Sequence, residues 1–278
     1  MSISVNSTSN TAALIALQDL SKTQAQVTQT QEEVSSGLAV SDAQSNPELW
    51  SISQNQQQQI NGLDAVTQSL NRATSITDVA TAAGQNVLNL LNQLKNDALS
   101  ATEPSLDSAS RQSYNSGFQT LLGQISETVN NASFDGANLL DGTSSGNLSV
   151  LASADGNAFL TLSGTDLSLG GSVITLGSTA SLGSVTAATT ALSQINTSLA
   201  NLTSTMANLG AQASQISAHT AFVSQLSDSL QSGVGDLVNA NMGAESAKLQ
   251  ALQVQQQLSV QSLSVVNQSP AVILSLFR

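Results

Sequence analysis

Apolar side chains recur along most of this chain at alternating steps of three and four residues, the pattern of helices that pack through one stripe. The first stripe reads Ala13, Leu17, Leu20, Gln24, Val27, Gln31, Val34 and Leu38, with Gly37 placed as a helix C-terminal glycine. In SNPELW, Asn46 has the chemistry of an N-cap, Pro47 suits the first helical position, and Glu48 suits the positive end of the helix dipole. A second stripe then runs Leu63, Val66, Leu70, Ala73, Thr77, Ala80, Gly84, Val87, Leu91, Leu94 and Ala98. This predicts a helix to about Ala101, ended by Pro104. Asp107 is placed to cap a third helix through Tyr114, Phe118, Leu121, Leu122, Ile125 and Val129.

From Asn131 the period changes. Asp135-Gly136 and Asp141-Gly142 predict turns, and the Gly-, Ser- and Thr-rich stretch after them, with Phe159 to Leu162, predicts short β-hairpins. Helical spacing returns near Ala187 through Leu192, Ile195, Leu199, Leu202, Met206, Leu209, Ala213, Ile216, Thr220 and Val223. Gly233 and Gly235 predict a break. A last helix is expected from about Asp236 to Gln268, closed by Pro270, and it carries two stripes. One is Ala247, Ala251, Val254, Leu258, Gln261 and Val265; the other is Leu249, Leu252, Gln256, Ser259, Leu263 and Val266. Two stripes require two packing partners.

The fold class expected is mainly α: a long antiparallel helical bundle or coiled coil from paired N- and C-terminal helices, with a small β-hairpin-rich insert at the tip. The expected domains are 1–43 with 236–278, 44–142 with 188–235, and an insert at 143–187.

Charge sharpens this picture. Only 9% of the 278 residues are charged and 3% are aromatic, with a net charge of −12, against roughly 25% charged in a typical soluble chain. The acidic balance argues against nucleic acid as a partner. Leu249 to Phe277 carries no charged side chain. It is interrupted by Gln and Asn too often to insert into a membrane. The N-terminus shows neither a basic nor a continuous apolar region of a secretory signal. With no cysteine, disulfides, thiolate catalysis and Cys-based zinc sites are excluded.

Candidate chemistry is sparse. His219 is the single histidine, and Asp228 lies two to three turns along the same helix, too far for a direct bond. A polar residue on a helix flank is the expected role. Asp155 and Asp166 lack the spacing of a calcium loop and are expected as turn residues. No catalytic, metal or cofactor residues are assigned, and the chain is not expected to be an enzyme. Burying a Leu or Val stabilises by about 1.5–3 kcal/mol, so an α-helix with two apolar stripes seeks a second neighbour. Residues 1–36 can cover one stripe, and another copy of the chain or another protein is expected on the other. Self-assembly is assigned to Leu17, Leu20, Val27, Val34, Leu38, Leu249, Leu252, Val254, Leu258, Leu263, Val266, Leu274, Leu276 and Phe277.

Three segments carry a family resemblance. SSGLAVSDAQSN (35–46), SFDGANLLDGT (133–143) and the run from Ala240 to Arg278 resemble bacterial flagellins, over roughly residues 1–142 and 188–278. Departures include Ala39 where the family often has Arg, and Asn239 and Asn241 where acidic residues are common. The resemblance implies a flagellar filament subunit for swimming motility, exported unfolded through the flagellar type III apparatus to an extracellular filament. Its implied partners are further copies of itself, with or without other flagellins, junction and cap proteins, and a cytosolic chaperone on the C-terminal helix. A hook–filament junction protein is the nearest alternative, and a coiled-coil adhesin or secreted effector the next. LNQLKNDALSA (91–101) is similar to the family stretch gripped by the flagellin-sensing Toll-like receptor, with Gln93, Lys95 and Asn96 in place of two Arg and an acidic residue. Gln cannot remake a bidentate, permanently charged contact. Weak or absent receptor activation is expected, and a full-strength response in reporter cells overturns it.

Overall fold

A computed structural model describes residues 4–142 and 147–275, with side chains described for 11, 13–142 and 147–266. Five helices dominate: α1 (Ser4–Ser36), α2 (Pro47–Ala101), α3 (Ser108–Asn131), α4 (Val185–Val238) and α5 (Met242–Ser275). Two antiparallel hairpins lie between α3 and α4: β1 (Ser133–Phe134) with β2 (Ala137–Asn138), and β3 (Leu148–Leu151) with β4 (Phe159–Leu162). The expected mainly α class with small hairpins is what forms.

The chain divides into two compact units, residues 1–58 with 229–278, and residues 59–228. Their boundaries fall inside α2 and α4, not at the inter-helix breaks, and residues 143–187 belong to the second unit.

In the second unit, the α2 stripe from Leu63 to Ala98 is buried at every expected position. Three local devices shape its far end. Asp107 accepts from the Ser110 amide at 2.7 Å, which caps α3 and holds its carboxyl below the usual range. Thr102 to Asp107 reverses the chain. The buried Arg111 then donates to the carbonyls of Ala101 and Glu103, so a guanidinium satisfies acceptors that the end of α2 leaves open. Asn86 to Thr128 and Gly117 beside Asp97 fix α2 and α3 as antiparallel. Gly84 lets the Met206 thioether of α4 lie directly on α2.

At the other end of α3, Asp135 (φ 48°) and Gly136 (φ 76°) make the expected tight hairpin turn. Buried Asn138 donates to the Val129 carbonyl at 2.8 Å and accepts from the Leu140 amide, tying the hairpin to the end of α3.

The insert does not sit beyond the helices. Its β3–β4 hairpin lies back against α2 and α4. The Leu151 amide donates to Ser69 Oγ at 3.1 Å, His219 Nε2 lies 2.8 Å from the Ala152 carbonyl, and the Ser163 amide donates to Gln212. The reason is burial: Val150 and Leu162 lose their exposure only by turning onto the helices. Residues 173–182 then follow α4 and α3, where Thr175 bonds to Ser198 and the Leu182 amide donates to Asn115.

Two helix-end expectations are corrected. Gly233 and Gly235 do not break α4, which continues to Val238; glycine weakens a helix by about 1 kcal/mol without forbidding it. The break falls at Asn239–Asn241, where the chain pairs with the end of α1 and Asn241 Oδ1 accepts from the Ala244 amide. Pro270 does not close α5, which runs to Ser275; a proline removes one amide donor and need not end a helix whose other bonds stand.

The close approach at Gly62 generates a prediction. A methyl there would stand 2.8 Å from Ala154 Cβ and 2.9 Å from the Ala154 carbonyl oxygen. Gly62→Ala should gain about 1 kcal/mol of helix propensity yet destabilise the second unit by a net 1–2 kcal/mol or so, because backbone must move. Urea unfolding checks the sign; a stabilised variant contradicts the packing described.

Candidate functional site

The first unit holds the residues assigned to assembly. Helices α1 and α5 pair antiparallel. Lys248 Nζ reaches Glu33 at 3.5 Å and Glu245 at 2.9 Å. Further along, the Gln256 amide donates to Gln24. The Glu245 contact raises the Lys248 pKa, and the same contact lowers that of Glu245. These pairs are exposed and contribute little energy, but they fix which residues face each other.

The pair is closed at one end by backbone. Gly37 (φ 74°) ends α1, its amide bonding to Glu33. The Ala39 amide donates to the Val238 carbonyl at 2.7 Å, and the Ala240 amide donates to the Gly37 carbonyl at 2.9 Å. Leu38 and Asn239 thus form a one-residue antiparallel bridge. The chain entering α2 and the chain leaving α4 are held side by side.

The inward stripe of α5 is one of the two expected. Leu252 is buried, and Leu249, Gln256, Ser259, Leu263 and Val266 are half-buried. The other stripe faces outward: Val254 is 56% exposed, Leu258 59% and Val265 69%. Ala247, Ala251 and Gln261 are exposed beside them.

On α1 the seam differs from expectation at three alternate positions. The covered residues are Ala13, Ala16, Leu20, Thr23, Val27, Thr30 and Val34. Leu20, Val27 and Val34 stand as expected, and Leu38 is half-buried at the bridge. Leu17, Gln24 and Gln31 are exposed, each replaced inward by its smaller preceding neighbour. Size explains the choice. Ala16, Thr23 and Thr30 let the helix backbones approach, and the Thr23 hydroxyl bonds to the Asp19 carbonyl, so it needs no partner on α5. Leu17 is left on the outside with Leu14 and Ile15. The described structure ends before Leu276 and Phe277, and the Leu274 side chain also lies outside the described residues.

Gln93 and Asn96 are exposed on α2, and Lys95 is half-buried. Next to them Asp97 is pushed above its ordinary pKa by partial burial. His219 serves the hairpin: besides the Ala152 carbonyl it touches the Phe222 ring, 6.1 Å between centroids. Asp155 accepts from Ser153 and Asn157 within its own turn, which lowers its pKa to about 2. Among the described residues no three metal-ligating side chains converge, and no described helix is long and apolar enough to cross a membrane.

A pair of terminal helices with an uncharged outer stripe on α5, in a chain whose second unit is a helical bundle with small hairpins, has known relatives. Residues 7–145 match the bacterial flagellin N-terminal helical region, and residues 184–277 match the bacterial flagellin C-terminal helical region. The chain belongs to the bacterial flagellin family. It is 43% identical to flagellin FljM of Caulobacter vibrioides over 97% of both chains. It is 36% identical to a flagellin of Brucella melitensis over 97% of this chain and 98% of that one. Among solved structures, a Vibrio parahaemolyticus protein assigned as flagellar hook-associated matches with a TM-score of 0.59 at 12% identity. It covers 70% of this chain and 100% of that one, a likeness of fold alone. As a flagellin, the chain is a structural subunit of the flagellar filament and not an enzyme.

Sequence reasoning passed over Leu14, Ile15 and Val260 on the outer face of the terminal pair, and Phe159 and Phe222 on the second unit, all more than half exposed. Their apolar character is plain in the sequence, but they stand off the stripes of three-and-four spacing.

Opposite faces of α5 predict opposite phenotypes for the inward position. Leu252→Ala should loosen the α1–α5 pair by about 2 kcal/mol, read as faster hydrogen exchange across α1 with α2–α4 amides unchanged. Unchanged exchange in α1 contradicts the pairing.

Proposed function

We propose that the outward stripe of α5, with Leu14, Ile15 and Leu17 of α1, is the surface through which copies of this flagellin pack in the filament. Val254, Leu258 and Val265, exposed on a helix that carries no charge from Leu249 to Phe277, are the observation that carries this reading. Leu20, Val27, Val34, Leu249, Leu252, Leu263 and Val266 act one step earlier, by presenting that stripe from a paired helix, and Leu38 by closing the pair. Leu274, Leu276 and Phe277 extend the apolar run at the C-terminus. An uncharged surface suits repeated contact between identical acidic subunits, since like charges placed opposite each other would repel.

In this reading the paired termini, 1–43 with 236–278, form the inner tube. The long helices, 44–142 with 188–235, form the outer wall, and 143–187 is the variable insert. The subunit leaves the cell unfolded through the flagellar type III apparatus and assembles outside it. Before export a cytosolic chaperone covers the C-terminal helix, whose outward stripe is unsafe in water. In the filament the subunit meets further copies, other flagellins where present, and the junction and cap proteins. The absence of cysteine is compatible with this route, which needs no oxidative folding. Substitution of the receptor-facing positions by Gln93, Lys95 and Asn96 supports a filament that the flagellin-sensing receptor grips poorly.

Leu258→Asp should leave the unfolding of the monomer within about 0.5 kcal/mol, because the position is exposed, and abolish seeded polymerisation seen by electron microscopy. Filaments of normal length from this variant would remove α5 from the contact.

A further inference from the structure

We propose that the Met206 thioether is a reversible oxidation site, where a peroxide turns a packing contact of the second unit into a polar sulfoxide that the contact cannot hold. The chain has no cysteine and three methionines, so all of its oxidisable sulfur is thioether. Met1 lies outside the described residues. Met242 opens α5 and is 42% exposed. Of the two described methionines, Met206 is the one in a seam between long helices, half-buried on α4.

Gly84 makes the site. The α2 stripe carries a side chain at every position from Leu63 to Ala98 except this one, and Gly84 is buried. A methyl added there would collide with Met206 Sδ and stand 3.3 Å from the terminal methyl of the same side chain. The sulfur therefore fills the space that a stripe residue would take, directly against the α2 backbone. One turn away on either side, Ala80 and Val87 of α2 and Leu202 and Leu209 of α4 are buried. A flexible, polarizable and apolar side chain suits such a gap.

A sulfoxide does not suit it. In the reaction a sulfur lone pair attacks one oxygen of hydrogen peroxide. The S–O bond forms as the O–O bond breaks. The proton of the transferred hydroxyl passes to the leaving oxygen, which departs as water. Sulfur loses two electrons and the peroxide gains them. The new oxygen must then accept a hydrogen bond or remain desolvated at a cost. Helix α2 runs unbroken from Pro47 to Ala101, so the amides around Gly84 bond within their own helix. Two buried hydroxyls of these helices, Thr77 and Thr205, already donate to the carbonyls of Ala73 and Asn201. The side chain must leave the seam, or α4 must draw back from α2, and either change loosens the second unit. Part of Met206 reaches solvent, so a reagent little larger than water arrives without global unfolding. Reduction by a methionine sulfoxide reductase restores the thioether.

The test treats the full-length monomer with hydrogen peroxide and locates the added oxygen by mass spectrometry of peptic fragments. Met206 should oxidise in the folded chain within about tenfold of the rate at the exposed Met242. The melting temperature should fall by roughly 3–8 °C, and hydrogen exchange should quicken in α2 and α4 around Gly84 and Met206. Reductase treatment should reverse both. Met206→Leu, a swap of similar volume, should remove the peroxide effect, and Met242→Leu should retain it. If Met206→Leu does not fold, Met242→Leu carries the same test. A folded chain oxidised at Met242 and not at Met206 overturns the inference. So does a Met206 sulfoxide with unchanged melting and exchange, or a folded Met206→Leu chain that peroxide loosens equally. Polymerisation enters none of these readouts, so the outcome is independent of the α5 surface.

Discussion

One helix can hide only the stripe that its neighbour covers, and α5 has two stripes, of which α1 covers one among the described residues. Everything distinctive about the first unit follows from that excess. Leu249, Leu252, Leu263 and Val266 are spent on α1, at a seam small enough on the α1 side for the backbones to approach. Val254, Leu258 and Val265 are then unavoidably turned away from it, by the geometry of 3.6 residues per turn. No rotation of α5 hides both sets, because either choice leaves the other in water. The hydrophobic effect makes the exposed set a standing drive toward association, and the absence of charge removes the usual obstacle to it.

The bridge between residues 37–40 and 238–240 gives this drive a fixed direction. Three backbone bonds hold the ends of α1 and α4 together just before α5 begins. Lys248 and Gln256 then set which part of α5 lies against which part of α1. A one-residue rotation of α5 would carry Leu252 off the seam, as it does for a strand whose register slips. The outer stripe is therefore an ordered surface on a positioned helix, and a repeating lattice needs that more than it needs strong single contacts.

Much of this was legible in the residues, and the exceptions share a physical cause. The α2 stripe, the Asn46 and Asp107 caps and the Asp135-Gly136 turn are local features, set by periodicity and by side chains bonding to nearby amides. Both stripes of α5 are readable for the same reason. The α1 seam was half readable. Strict three-and-four spacing favours Leu17 over Ala16 and Gln24 over Thr23, whereas close packing prefers the small residue when the neighbouring backbone must come near. The insert was misplaced because Val150 and Leu162 look like strand residues anywhere, and only the helix surface at Ser69 and His219 tells them where to turn. Gly233 and Gly235 read as punctuation, although a glycine inside a long, otherwise supported helix costs too little to end it.

Charge connects the two units better than hydrophobicity does. The eye is drawn to Leu249 to Phe277 because leucine and valine make its missing charges conspicuous. Leu167 to Ser227 is just as empty of charge, yet threonine, serine and alanine make it look like an ordinary polar helix. Several of its threonine hydroxyls, Thr197 and Thr203 among them, donate to the helix carbonyl four residues earlier. In the proposed filament the outer stripe of α5 is the stronger drive to contact between copies, because Val254, Leu258 and Val265 gain by leaving water, whereas a neutral hydroxyl-bearing face gains little.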